Sequence, residues 1–198
     1  YVGDDIPICI FFWFIYIQTM KKFFYQFKKL DDIIIYKYSV FKDLRGSTFS
    51  PFIQKSINNV NFCHDKITLG KRNTLRGMHG DLKTTKFISC LSGNIYCNLF
   101  NINFDSKYYK KRYSFYLGEK KNNCILIPPK ILLGWIVLSK EATVLYKFGY
   151  KGKYMDAKDQ ISFNYKDPQL RLKWPIPDSK IILSNRDKKI KSYYSLPK

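Results

Sequence analysis

The sequence predicts an all-β domain, a sandwich, barrel or jelly roll. Three observations carry this. Short runs rich in Ile, Val, Tyr and Phe recur at spacings of about 8–12 residues, as in β sandwiches and barrels. Gly, Asn, Asp and Pro clusters punctuate those runs. Long amphipathic periodicity near 3.6 residues is missing. At 198 residues with 45% apolar content, the chain has enough material for one core.

Residues 33–40 (IIIYKYSV) read as a strand ended by a turn at Lys42-Asp43-Leu44-Arg45-Gly46. Residues 48–55 and 60–63 read as further extended pieces, and residues 73–78 lead into His79. Residues 86–91 and 95–103 flank Ser92-Gly93-Asn94 and are expected to pair as a hairpin. Residues 112–117, 124–127, 134–138 and 142–148 continue the series, with Pro128-Pro129 as punctuation. Residues 178–198 are polar and basic, and read as loop with a short helical turn.

A formal net charge of +20 resembles a nucleic-acid footprint. The excess is mostly lysine, however. The arginines preferred for bidentate phosphate and base contacts are few: Arg45, Arg72, Arg76, Arg112, Arg171 and Arg186. Lysine is spread along the chain together with Ile, Asn, Tyr and Phe, so no nucleic-acid partner is expected. The charge does favour an anionic ligand such as a nucleotide diphosphate. The five cysteines, Cys9, Cys63, Cys90, Cys97 and Cys124, form no CxxC pair. Neither a metal site nor a disulfide framework is signalled. Cys90, Cys97 and Cys124 sit in apolar runs and read as buried thiols of a reducing, cytoplasmic protein.

Residues 8–17 are almost continuously apolar, but shorter than the roughly 20 residues of a spanning helix. Acidic Asp4 and Asp5 precede them where a signal peptide would be basic. Residues 1–19 are therefore read as an upstream or fragment segment outside the fold, with Met20 as the start of a single domain over 20–198. A short membrane-associating segment flanked by Lys21 and Lys22 is the alternative. Stable membrane insertion is not expected.

The chain has two histidines, His64 and His79. His79 closes the segment Leu75-Arg76-Gly77-Met78-His79 and is followed by Lys86. Histidine suits proton transfer near neutral pH, and cations beside it suit an anionic substrate. Taken alone, the pentapeptide fits a structural or surface histidine more readily than a base. His64 is read as structural.

Taken in order, several motifs resemble the dTDP-4-dehydrorhamnose 3,5-epimerase family. They are Phe41-Lys42-Asp43-Leu44-Arg45-Gly46, Leu75-Arg76-Gly77-Met78-His79, Lys86 with Gly93, and Ile127-Pro128-Pro129. Val137-Leu138-Ser139, Leu145-Tyr146-Lys147, Asp167-Pro168, Trp174-Pro175 and Leu183-Ser184-Asn185-Arg186-Asp187 follow. The resemblance covers roughly residues 30–188. His79-Gly80-Asp81-Leu82-Lys83-Thr84-Thr85-Lys86 and Tyr154-Met155-Asp156-Ala157-Lys158-Asp159-Gln160 are similar to a branch acting on NDP-4-keto-hexoses or heptoses.

The resemblance implies a cupin-type jelly roll with short peripheral helices. It implies a homodimer built through the region around residues 33–50, and a nucleotide-diphosphate 4-keto sugar as substrate. It also implies epimerisation at C3, C5 or both, in surface-glycan sugar biosynthesis, with no cofactor and no metal. The C4 ketone acidifies the neighbouring C–H bonds, so a base and an acid suffice. By resemblance His79 is the base, Asp187 its partner and Tyr146 the acid on the other face. Lys86 and Arg76 serve the oxyanion and bound substrate, and Arg45 contacts the nucleotide. The family also carries a histidine next to the glycine after Pro129; here Leu133 and Trp135 flank Gly134. A silent sugar-nucleotide-binding cupin and a 4-keto-sugar isomerase are the alternatives.

Overall fold

The computed structural model describes residues 24–190. The apolar run at 8–17 and the start at Met20 lie outside them. The described chain folds as two antiparallel sheets packed face to face. The strands are β1 (Phe24–Leu30), β2 (Ile33–Tyr38), β3 (Val40–Asp43), β4 (Gly46–Phe49), β5 (His64–Lys71), β6 (Leu75–Gly80) and β7 (Thr85–Ser92). They continue as β8 (Asn94–Asn101), β9 (Arg112–Gly118), β10 (Asn123–Ile127), β11 (Ile131–Val137), β12 (Glu141–Gly149) and β13 (Ile161–Ser162). One short helix, α1 (Asn185–Lys189), follows. The six-stranded sheet runs β1-β2-β10-β7-β12-β5, and the five-stranded sheet runs β13-β6-β11-β8-β9. β3 and β4 form a separate hairpin. No helix among the described residues is long and apolar enough to cross a membrane.

Alternation builds the core between the sheets. Ile95, Cys97 and Leu99 of β8 and Ile131, Leu133, Trp135 and Val137 of β11 face Ile88, Cys90, Ile125, Ile127, Ala142 and Val144 of the other sheet. The outer faces are covered too. Phe52, Ile57 and Phe62 pack on the six-stranded sheet against Tyr36, Phe87 and Cys124. Phe163, Leu170 and Trp174 pack on the five-stranded sheet against Met78, Phe100 and Leu132. Burial on both faces explains why β11 is apolar throughout instead of alternating.

Two expectations need correction. Residues 86–91 and 95–103 do not form a hairpin. β7 pairs with β10 and β12, whereas β8 pairs with β11 and β9. The turn between them carries the chain across the sandwich instead of back along one sheet. Gly93 makes this corner at φ +75°, and a Cβ there would lie 2.1 Å from the Glu141 carbonyl oxygen. A glycine turn between two apolar runs reads the same in either case. The second correction is at residues 48–55, where β4 ends at Phe49 and a 3-10 turn takes Gln54–Ser56, and at residues 60–63, which only lead into β5, the edge strand at His64–Lys71. β5 hides from a search for buried alternation because its apolar Ile67 and Leu69 are exposed, at 60% and 74%. Its polar Lys66 and Thr68 face the cavity described next.

Candidate active site

A cavity of about 200 Å³ opens at one end of the sandwich interior, where polar side chains replace the apolar core. Along β12 the inward positions change from Ala142 and Val144 to Tyr146 and Phe148. Along β7 they change from Cys90 and Ile88 to Lys86. The six-stranded sheet thus supplies Lys66, Lys86 and Tyr146 to the cavity. The five-stranded sheet supplies Arg76, His79 and Leu133.

β6 could not present both Arg76 and His79 as a regular strand, because residues three apart point to opposite faces. Its register with β11 slips: His79 faces Leu133 and Arg76 faces Trp135, so two residues of β6 oppose Gly134 alone. This bulge turns both side chains inward. It requires glycine on both strands. Gly77 has φ +130°, and a Cβ on it would lie 2.4 Å from the Gly134 Cα. The Leu-Arg-Gly-Met-His segment is thus a device for aiming a guanidinium and an imidazole into one space.

His79 Nε2 lies 2.9 Å from Asp187 Oδ1. Asp187 stands in the first turn of α1, and Ser184 caps that helix by accepting from the Asp187 amide at 3.1 Å. Burial works to raise the Asp187 pKa, but His79, the Ser184 hydroxyl and Arg186 outweigh it and hold the carboxyl below its ordinary range. The other ring nitrogen, Nδ1, lies 2.9 Å from Ser162 Oγ, and Arg186 Nη2 donates to that same oxygen at 2.8 Å.

Across the cavity, the Trp135 indole N–H donates to the Tyr146 hydroxyl. With its oxygen already accepting, the phenol keeps its own proton to give. Burial pushes the Tyr146 pKa well above the ordinary value, so the group stays protonated. Lys86 is buried and lies 3.4 Å from Asp81 Oδ2. Burial lowers its pKa, and the Asp81 charge opposes that shift.

The structure brings together His79, Asp187, Tyr146, Lys86 and Arg76. It does not bring Arg45 to them. Arg45 lies on the exposed β3–β4 hairpin, 90% exposed and paired with Asp43 at 2.6 Å. The sequence reading missed Lys66, Ser162, Tyr154 and Arg186. Tyr154 and Arg186 lie within the family-like segments at 154–160 and 183–187, where the resemblance points to their neighbours. Lys66 and Thr68 were legible only as the polar half of β5. Leu133 lines the cavity floor, and Trp135 is a core residue whose edge supports Tyr146. His64 packs among Phe148, Tyr150 and Tyr154, and does not line the cavity.

A β-sandwich cavity holding a histidine–carboxylate pair, a protonated phenol and several cations defines a proton-transfer site suited to an anionic substrate. The chain belongs to the dTDP-4-dehydrorhamnose 3,5-epimerase family, whose model matches residues 28–194. The dTDP-4-dehydrorhamnose 3,5-epimerase of Pseudomonas aeruginosa is 25% identical over 175 residues, covering 83% of this chain and 92% of that relative. The enzyme of that name from Escherichia coli is 25% identical over 82% of this chain and 90% of its own length. The crystal structure of the Elizabethkingia anophelis enzyme superposes with a TM-score of 0.75 at 25% identity, covering 86% of this chain and 96% of that one. The Bacillus anthracis enzyme, solved with TDP and pyrophosphate bound, shares the cupin-like jelly-roll fold at TM-score 0.76 and 22% identity. It covers 85% of this chain and 98% of its own.

Proposed function

We propose that this protein is an epimerase that inverts C3, C5 or both of a dTDP-4-keto-6-deoxy sugar. The product would serve surface-glycan sugar biosynthesis. One observation carries the reading: the histidine base and the tyrosine acid stand on opposite sheets of one cavity. His79 comes from the five-stranded sheet, and Tyr146 from the six-stranded sheet. Inversion needs that arrangement, because the proton must leave one face of the carbon and return to the other.

His79 removes a proton beside the C4 ketone. Asp187 orients the ring and compensates the imidazolium that forms. The Ser162 hydroxyl has a second acceptor in the Gln160 carbonyl, 3.5 Å away. With Nε2 turned to Asp187, Nδ1 is the nitrogen left to take the proton, and the substrate must displace the Ser162 hydroxyl from it. Electrons move onto the C4 oxygen, where the Lys86 ammonium receives the oxyanion charge in a water-poor wall. Tyr146 then donates its proton from the opposite side. Every bond broken at the carbon is a C–H bond that is remade, so no electrons leave the substrate. Arg76 and Lys66 face the same cavity and suit the diphosphate.

The cavity is below the roughly 300–1,000 Å³ of a pocket that engulfs a whole drug-sized ligand. It holds a sugar ring, with the nucleotide across its mouth. The β3–β4 hairpin carries Phe41, Leu44 and Arg45 outward. A homodimer in which this hairpin reaches the partner accounts for an arginine that its own cavity does not use. The free buried thiols Cys90, Cys97 and Cys124 fit the reducing cytoplasm.

The test is incubation with dTDP-4-keto-6-deoxy-glucose and related NDP-4-keto sugars, with the products resolved by NMR. Inversion at C3 or C5 supports the reading. A carbonyl moved along the ring shows an isomerase. Binding without turnover shows a silent cupin.

A further inference from the structure

Lys86 presents a problem that the cavity alone does not solve. It is 6% exposed, and burial of an ammonium disfavours its charged form. Among the described residues, the cavity beside it adds positive charge and no free counter-charge of its own sheet. Arg76 from β6, Lys66 from β5 and Arg186 from α1 are further cations sharing the cavity. Asp187 from α1 is engaged by His79, the other titratable group from β6. Tyr146 from β12 is neutral, and Tyr154 and Asp156 approach from the segment after β12. Among the described residues, the carboxylate in ion-pair contact with Lys86 is Asp81, at 3.4 Å.

Asp81 lies behind the cavity wall in the β6–β7 connection and is 2% exposed. Its two oxygens have separate tasks. Oδ1 accepts from the Lys83 amide at 3.0 Å and the Thr84 amide at 2.6 Å, which shapes the turn. Oδ2 faces Lys86. The Asp81 carbonyl also accepts from the Lys130 amide at 2.8 Å, fixing the loop to the β10–β11 connection. The turn needs only one acceptor oxygen and no charge. A full carboxylate at a buried turn beside a buried lysine is therefore more than the turn requires.

We propose that Asp81, a residue outside the cavity, is a positioning residue that holds the Lys86 ammonium in the cavity wall as a cation. This rests on the oxyanion role given to Lys86 above. Asp81 touches no substrate; it acts through the lysine. Without its charge Lys86 would lose its proton at lower pH, and the enolate oxygen would face a neutral amine.

The two tasks separate by substitution. Asp81→Asn keeps the Oδ1 acceptor for the turn and removes the charge opposite Lys86. Asp81→Ser, whose hydroxyl can accept from the same amides, is the second variant should the amide disturb folding. Two readouts are compared with wild type between pH 6 and pH 10. One is kcat with the dTDP-4-keto sugar. The other is acetylation of Lys86 by acetic anhydride, mapped by mass spectrometry. Loss of an adjacent opposite charge moves such a group by about 1–3 pH units. The onset of Lys86 acetylation should fall by that amount in both variants. The kcat deficit should be small near pH 6 and grow by about tenfold per pH unit once Lys86 deprotonates. In the Lys86→Arg background the guanidinium does not titrate, so Asp81→Asn should add no pH-dependent deficit.

An equal deficit at every pH, with an unchanged acetylation profile, would overturn the proposal and make Asp81 a turn residue only. If wild type epimerises no 4-keto sugar, the functional reading fails instead. The acetylation profiles would then still decide the role of Asp81.

Discussion

His79 Nε2 and Asp187 Oδ1 lie 2.9 Å apart, although the first is on a strand of the five-stranded sheet and the second on the last helix described. The pair fixes the base of the proposed reaction and closes the C-terminal segment over the cavity. Asp187→Asn keeps the shape and removes the charge that compensates the imidazolium. The rate should fall by about 10²–10⁴, measured as kcat by NMR of the epimerised product.

The same pair makes stability depend on pH with a defined sign. The folded-state pKa of Asp187 lies below its ordinary value of 3.8. Its contribution is therefore fully present above pH 3.8 and is lost as pH falls towards the lowered value. Thermal melts between pH 7 and pH 2 should show wild type losing this increment on acidification. The gap between wild type and Asp187→Asn should narrow over that window. A gap that widens in acid contradicts the assignment.

Tyr146→Phe keeps the ring and removes the proton that returns to the substrate. Deprotonation by His79 then persists while inversion fails at one or both carbons. In D2O the substrate should gain deuterium with its configuration retained. Trp135→Phe tests the support beneath this group, since it removes the N–H that the phenol accepts. We expect kcat to fall by about tenfold, the equivalent of one hydrogen bond of about 1.4 kcal/mol, with KM little changed.

Gly77→Ala tests the bulge that aims Arg76 and His79. A methyl group would meet the Gly134 Cα at 2.4 Å, at a backbone φ of +130° that alanine avoids. Strain of this kind costs about 1–3 kcal/mol, and the clash adds to it. The melting temperature should fall, and exchange activity should fall further than stability alone explains. A variant with unchanged Tm and activity would show that the β6–β11 spacing is not critical.

Much of this architecture was legible in the chain. The strands around Ile35, Ile88, Cys97, Ile125 and Val144 announce themselves, because β-branched and aromatic runs between turn residues have few other uses. The site was legible only through resemblance. Asp187 between Arg186 and Lys188 looks like a solvated tail charge until α1 folds it under β6. Tyr146 looks like one more core tyrosine until the inward face of β12 turns polar beyond Val144. Sheet assignment was not legible, since local pattern does not say whether the chain turns at Gly93 within a sheet or between sheets. β5 escaped for a related reason: its meaningful side is the polar one. Long-range register decided each of these features.

Solvent exchange with the dTDP-4-keto-6-deoxy sugar in D2O, followed by NMR for wild type and His79→Asn, decides whether His79 is the base of an epimerase. Wild type should incorporate deuterium at C3, C5 or both with inversion. His79→Asn, with its fold confirmed by circular dichroism, should incorporate none above the uncatalysed rate. Wild-type exchange persisting in His79→Asn would contradict His79 as the base, and no exchange by wild type with any 4-keto sugar nucleotide would contradict the reaction itself.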